Sequence, residues 1–478
     1  MEAQGASKRY AILTVVVAGV FMAVLDGVVV AVALPTITAH FGVNLDSTQW
    51  VITAYLLTMT VALLPMGRLS EYTGRAALFV GGITLFTVAS AACGLAPTLA
   101  VLVAARVVQA VGGSMVFSIS NALIFEAFPP AERGRALGYL GSAVAFSALS
   151  SPAVGGGLVE AFGWQAVFFI NIPIGIAVVT AAFLVLPRAH ARPDRFRFDL
   201  PGAVALGCAV ASLVVFLGRL AASPVIDAPA AVLAVAFVAA SVAFVLVERR
   251  SPAPLVDLGL FAEPLYVLPV AAMLLYFVAA FMMSLVSPFY FEGVMGFTPG
   301  TVGLVLLLQP AVMAVAAPSA GWLYDRTQSA YLAALGMGLV TAGYAVAGLA
   351  ASAQQLVPML GAFLVIGLGA GLFQAPNNTA QMSAVPPRWL GLASAITATG
   401  RNLGMSLGVS IGSVLLTVLL VAGGYPRPVL EAEPDVLAVS VGTIIGVGAV
   451  LTGLAATLSA SRGFLVARAA QADESAQP

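Results

Sequence analysis

Residues 11–35 read AILTVVVAGVFMAVLDGVVVAVALP, a run that is apolar but for Thr14 and one charged residue, Asp26. At ~1.5 Å of rise per residue a helix of this length crosses a hydrocarbon core of roughly 30 Å. Apolar residues surround the stretch instead of alternating along it. That pattern predicts a helix in lipid and argues against a strand of a membrane barrel. The run exceeds the apolar core of a signal peptide and lacks a small-residue cleavage pattern, so it is expected to remain as the first of a series of spans.

Similar stretches recur to the end of the chain. They predict spans at 11–35, 50–66, 76–95, 99–125, 136–159, 166–186, 200–217, 226–246, 266–290, 302–323, 331–351, 356–382, 392–421 and 436–458. Only 8% of the 478 residues are charged and 61% are hydrophobic, against about a quarter charged in a soluble domain. The expected fold is an all-α membrane protein with 14 transmembrane helices. Its 48 glycines would let those helices approach closely.

Placing the Lys and Arg residues tests this map, because positive residues in short loops stay on the cytoplasmic side. With the N-terminus inside, Lys8, Arg68, Arg75, Arg135, Arg326, Arg388 and ten other Arg residues fall on the cytoplasmic side. Only Arg219 and Arg427 fall outside, and Arg106 and Arg401 lie within spans. Both termini are therefore expected in the cytoplasm. Cys93 and Cys208 lie in spans, so neither a disulfide framework nor a metal site is indicated. A net charge of zero argues against a nucleic-acid partner.

Two polar linkers divide the chain. Arg188, Arg192, Arg195 and Arg197 mark the first, and Pro252, Pro254 and Pro264 the second. The expected organisation is 6+2+6: a six-helix bundle over residues 1–187, a basic linker and inserted helix pair over 188–262, and a second six-helix bundle with a short cytoplasmic tail over 263–478. Gly67, Leu69 and Glu71 recur 254 positions later as Gly321, Leu323 and Asp325. Pro35 and Pro288 repeat at an offset of 253. The alternatives are chance in a Gly- and Leu-rich chain or a parallel duplication, a construction used by transporters.

Asp26 is costly at mid-membrane, about 2.5 to 3.5 kcal/mol on insertion scales. Burial disfavours its charged form and a nearby cation favours it, so a conformational change that alters either would load or release a proton. Proton carriage and a permanent ion pair are the two readings. Arg106 is the expected partner, since helices one and four run in opposite directions and place the two side chains at overlapping depths. Arg401, Asn402, Asn377, Asn378 and Gln309 form a polar set in the later spans; they either line a central cavity or hold helices together. Tyr276 and Phe281, with Phe146, Phe277, Met282, Met283 and Phe373, are candidates for an apolar substrate wall.

Gly67, Glu71, Gly74, Arg75, Arg135, Asp325 and Arg326 sit at the cytoplasmic ends of helices or in the loops joining them. They form either a conformational latch or solvated loop charges. Pro152, followed by Gly155, Gly156 and Gly157, predicts a bend or close packing in helix five.

These residues resemble the major facilitator superfamily, and within it the fourteen-helix drug:proton antiporter branch. Leu25-Asp26 with Ala33-Leu34-Pro35 looks like the helix-one signature. Gly67, Glu71, Gly74 and Arg75 fit the loop after helix two, and Arg106, Gln109 and Gly112 fit helix four. Ser151, Pro152, Gly155 and Gly156 resemble the antiporter motif, followed by Asn171-Ile172-Pro173. Arg401-Asn402-Leu403-Gly404 resembles helix thirteen. The chain departs from the pattern at Val28, Ala31, Glu71 and Ser151. It also lacks an acidic residue in helix thirteen, which argues against promiscuous export of multivalent cations.

The resemblance implies the major facilitator fold and a proton-coupled secondary active exporter of lipophilic small molecules or drugs. Such a protein is a multi-pass protein of the plasma (inner) membrane, works by alternating access and serves multidrug efflux and drug resistance. It is driven by the proton gradient without a cofactor and works as a monomer. Its partners would be a small lipophilic substrate, protons and the bilayer. The alternative is a dedicated exporter or flippase for one lipid or biosynthetic product. An enzyme is not indicated, because no cluster of His, Cys or carboxylates lies at depth. An ATP-driven pump is not indicated either, since the chain has no Walker-type loop and a single Lys, Lys8.

Overall fold

The computed structural model describes residues 2–43, 45–48, 50–186, 199–222, 227–251, 255, 258–424 and 433–475. Every regular element among them is helical. The first six long helices are α1 (Glu2–Phe41), α2 (Trp50–Thr73), α3 (Arg75–Gly94), α4 (Leu99–Ala127), α5 (Arg133–Phe162) and α6 (Asn171–Val185), the last preceded by the single turn Ala166–Phe169. Then come α7 (Leu200–Ala222), α8 (Ala228–Arg250), α9 (Pro264–Gly293), α10 (Leu308–Thr327), α11 (Leu332–Ser352), α12 (Leu356–Ser383), α13 (Leu390–Ala422) and α14 (Pro434–Ser475).

Twelve helical segments among the described residues are long and apolar enough to cross a membrane. Helices α5 and α7 cover the other two expected spans without joining the twelve. The basic linker lies at 187–198, outside the described residues.

The described helices gather into two compact units. One comprises Met1–Val210, Ala243–Asp257 and Val385–Thr399; the other comprises Ala211–Val242, Leu258–Ala384 and Gly400–Pro478. The boundaries between the two units fall within both helices of the inserted pair, after Val210 in α7 and after Val242 in α8, and most of α8 is exposed or half-buried. Val385–Thr399, which includes the start of α13, groups with the first unit. There Gly67 lies so close to α13 that a Cβ on it would meet the Cβ of Ala395 at 2.2 Å.

The same packing plan is built twice. In the first unit α1 packs on α4, α5 and α6, α2 on α4, and α3 on α4 and α6. In the second unit α9 packs on α12 and α14, α10 on α12, and α11 on α12 and α14. Helix α13 lies against α9, where a Cβ on Gly408 would meet the carbonyl oxygen of Val278 at 2.4 Å.

Two helix crossings show how literal the repetition is. A Cβ on Gly112 would meet the backbone N of Phe86 at 2.6 Å and the carbonyl oxygen of Gly82 at 2.8 Å. A Cβ on Gly369 would meet the backbone N of Val340 at 2.8 Å and the carbonyl oxygen of Gly336 at 2.6 Å. Gly336 and Val340 stand 254 positions after Gly82 and Phe86, and Gly369 stands 257 after Gly112. Lipid offers no hydrophobic drive for helices to associate, so backbone approach through small residues supplies the packing.

Overpacking these crossings costs about 1–3 kcal/mol each. Gly112→Ala and Gly336→Ala are each expected to lower the thermal midpoint of the purified protein in detergent. Gly338→Ala, where nothing lies within 4 Å, should leave it unchanged; scanning fluorimetry of the three variants checks this.

Candidate functional site

The deepest polar cluster of the first unit is assembled from five helices. Asp26 on α1 and Arg106 on α4 are both closed to solvent, and Arg106 NH1 donates to Asp26 Oδ2 at 2.5 Å. The other carboxylate oxygen, Oδ1, accepts from Gln109 Nε2 at 3.0 Å and from Asn171 Nδ2 at 2.8 Å. Gln109 follows Arg106 by three residues and so shares its helix face. Asn171 opens α6. The carboxylate thus faces three donors.

The guanidinium is held as closely. Its Nε donates to the carbonyl of Val51 at 3.1 Å and NH1 also donates to Gln109 Oε1 at 2.6 Å. Its carbon lies 3.9 Å from the centre of the Tyr55 ring and 5.7 Å from that of Phe168. Aromatic faces suit a guanidinium withdrawn from water. Ser90 on α3 closes the cluster: its hydroxyl donates to Phe86 O at 2.8 Å and accepts from Gln109 Nε2 at 2.7 Å. Three buried polar atoms remain without a hydrogen bond: Arg106 NH2, Asn171 Oδ1 and Tyr55 Oη.

A buried pair of this kind is a weak source of net stability, but removing one partner strands a buried charge. The ion pair is legible in the sequence, Gln109 and Asn171 only as motif positions, and Ser90, Tyr55 and the Val51 carbonyl not at all. The spacing of Gln109 from Arg106 was a readable signal. For the others only the tertiary arrangement supplies one.

Ser151, Pro152, Gly155 and Gly156 lie on α5, the helix that packs against α1. Ser147 Oγ donates to Phe21 O at 2.8 Å, and Ser151 Oγ donates to Ser147 O at 2.6 Å. A Cβ on Gly155 would lie 3.3 Å from Val29 Cγ2, whereas Gly156 faces open space. Helix α5 runs through position 152 as one element; the Pro152 side chain lies outside the described residues.

At one end of α2, Arg68 pairs with Glu71 and Arg75 pairs with Glu126. Arg75 NH2 also donates to Pro387 O at 2.9 Å. Gly74, at φ +86°, forms the turn between α2 and α3, a conformation that suits glycine. Arg135 stands apart and donates to the Tyr10 hydroxyl. In the second unit Arg326 lies over the Trp322 ring at 4.2 Å, and Asp325 is half-buried one position before it.

Of the candidate substrate residues, all but Phe146 lie in the second unit. Asn377 Nδ2 donates to Pro269 O at 3.1 Å, and Tyr276 is buried with its ring 5.6 Å from that of Phe373. Gln309, Asn378, Arg401, Asn402 and Phe281 are half-buried. Phe146, on α5, is 56% exposed.

A chain of apolar helices around a buried ion pair is the frame of a multi-pass membrane transporter. Residues 16–409 match the family model for the Major Facilitator Superfamily, and the chain belongs to that family. It is 34% identical over 421 residues to the multidrug resistance protein Stp of Mycobacterium tuberculosis, covering 87% of this chain and 77% of that protein. It is 30% identical over 400 residues to the riboflavin transporter RibZ of Clostridioides difficile, covering 84% and 86%. The crystal structure of the human organic anion transporter MFSD10 shares the fold, with a TM-score of 0.64 at 14% identity over 93% of this chain and 99% of that one. The protein is a transporter and not an enzyme.

Arg106→Ala is expected to destabilise the protein by about 3–5 kcal/mol, because Asp26 is left buried and unpaired. The double variant Asp26→Asn/Arg106→Gln should lose less than the sum of its singles. Thermal unfolding of all four proteins in one detergent measures the coupling.

Proposed function

We propose that this protein is a proton-coupled exporter of lipophilic small molecules, an antiporter working by alternating access in the plasma membrane. The observation that carries the reading is the Asp26–Arg106 pair, an ionisable carboxylate wholly withdrawn from water and held by one cation and two neutral amides. Arg106 cannot be deprotonated in a protein, so Asp26 is the member of the pair that changes charge. Loading a proton would release it from Arg106, and the freed guanidinium would then have to find another partner.

Export, as a direction, is supported by the multidrug resistance relative and by Ser151, Pro152, Gly155 and Gly156 on the helix packed against α1. Fourteen spans with both termini cytoplasmic complete the proposal; the split of sixteen positive residues against two supports that topology. The transporter would act as a monomer, with no cofactor beyond the proton gradient. Asn377, Asn378, Arg401, Asn402, Gln309, Tyr276 and Phe281 are the residues assigned to substrate. Gly67, Glu71, Gly74, Arg75, Arg135, Asp325 and Arg326 are assigned to the latch.

A second reading, a dedicated exporter or flippase for one product, is favoured by the likeness to a transporter named for a single metabolite, riboflavin. The two separate on a panel. Purified protein in proteoliposomes is challenged with lipophilic cations, neutral drugs and lipids while proton release is followed. Release with several drugs supports the first reading, and a response to one compound alone supports the second.

Asp26→Asn is expected to abolish proton-driven export in energised inside-out vesicles while the protein, although less stable with Arg106 unpaired, still folds into the membrane. Unchanged export would remove the basis of proton coupling. Glu71→Lys, which sets two cations beside each other where Arg68 and Glu71 now pair, should lower turnover severalfold with little change in substrate affinity. Initial-rate measurements across substrate concentrations resolve the two parameters.

A further inference from the structure

We propose that the Asn171 carboxamide reads the protonation state of Asp26: it donates to the carboxylate and turns over to accept from the acid. The inference rests on the reading of Asp26 as a proton carrier.

Every hydrogen-bond partner of the Asp26 side chain in this cluster is a donor: Arg106 NH1, Gln109 Nε2 and Asn171 Nδ2. Such a ring fits a carboxylate. A protonated Asp26 carries an O–H that needs an acceptor, and a buried hydroxyl left without one is penalised. The acceptors nearby are already engaged. Gln109 Oε1 takes Arg106 NH1 at 2.6 Å and faces the Cys93 thiol at 3.7 Å. Ser90 Oγ takes Gln109 Nε2 at 2.7 Å and the same Asn171 amide at 3.4 Å.

Among the amide oxygens of the cluster, one is unoccupied. Asn171 is wholly buried, and its Oδ1 has no hydrogen bond although its Nδ2 has two acceptors. Rotation by half a turn about Cβ–Cγ exchanges the two atoms, and that torsion is broad and roughly two-fold. The amide of Gln109 has no such freedom, because its oxygen is fixed by Arg106 and its nitrogen by both Ser90 and Asp26. The present orientation is chemically required while Asp26 is charged, since Oδ1 in its place would set a carbonyl oxygen against a carboxylate oxygen.

The proton itself moves on and off Asp26 only; Asn171 gives up its donated bonds to Asp26 and Ser90 for one accepted from the acid, and is a positioning residue. The titratable or charged groups around the pair are Arg106 on α4, Tyr55 on α2 and Cys93 on α3. Helix α6 contains no titratable residue, and α5 has none between positions 141 and 159. Since Asn171 is the first residue of α6, the turnover would carry the charge state of α1 into that helix.

pH-difference infrared spectroscopy tests this on full-length protein in phosphatidylcholine–phosphatidylglycerol vesicles, with asparagine labelled by ¹³C at its side-chain carbonyl. The acid C=O band of Asp26 is the one that Asp26→Asn removes. We expect a labelled amide band that shifts with the same pH midpoint as that acid band and is lost in Asn171→Leu. In that variant the acid band should move to higher wavenumber, its O–H now lacking an acceptor. Asn171→Thr, whose hydroxyl both donates and accepts, should lose the amide band but keep the acid band in place, and it serves if the Leu variant does not fold. An amide band that ignores pH, or that survives in the variants, overturns the switch while leaving Asp26 a proton carrier. Absence of any acid band removed by Asp26→Asn overturns the carrier reading and the inference with it.

Discussion

A guanidinium and a carboxylate closed to solvent tie five helices of the first unit to one point. Asp26 brings α1, Arg106 and Gln109 bring α4, the Val51 carbonyl and the Tyr55 ring bring α2, Ser90 brings α3 and Asn171 brings α6. Each charge lies where bare burial costs several kcal/mol, so each must be surrounded by partners of the right sign and geometry. That demand constrains the helices more tightly than apolar packing does, because a leucine tolerates a small shift and a 2.8 Å hydrogen bond does not. The glycines that bring α3 and α4 into backbone contact at Gly82 and Gly112 make such distances reachable.

The pair's energetics also suit the proton carriage proposed for it. The favourable interaction between its members is offset by desolvation, so the net balance is small compared with either component. Adding a proton alters that balance at one stroke, neutralising one partner and leaving the other exposed to the same low-dielectric surroundings. A site of strong net stability would resist such a change.

How much of this was readable beforehand depends on what each feature requires. Helices follow from apolar length, and the depth of Asp26 against that of Arg106 follows from counting residues along two antiparallel rods. The repeat was visible in Gly67 and Gly321 before any packing was known. By contrast, Glu126 as the partner of Arg75 and the carbonyl of Pro387 as its second acceptor depend on which helix ends meet. Sequence distance gave no hint of either. Linkers likewise mark where a chain bends, whereas compactness is decided by which surfaces find partners. Ser90 and Tyr55 look like ordinary residues of apolar helices, and only their neighbours single them out.

The duplicated scaffold carries its chemistry once. At the positions that repeat Asp26, Arg106, Gln109 and Ser90, the second unit has Ala279, Phe363, Ile366 and Tyr344, all of them buried. The glycine crossings stand in both copies while the ionic ring stands in one. At the ring positions one copy is bound by the exacting geometry of charge, the other by the fit of apolar and aromatic side chains.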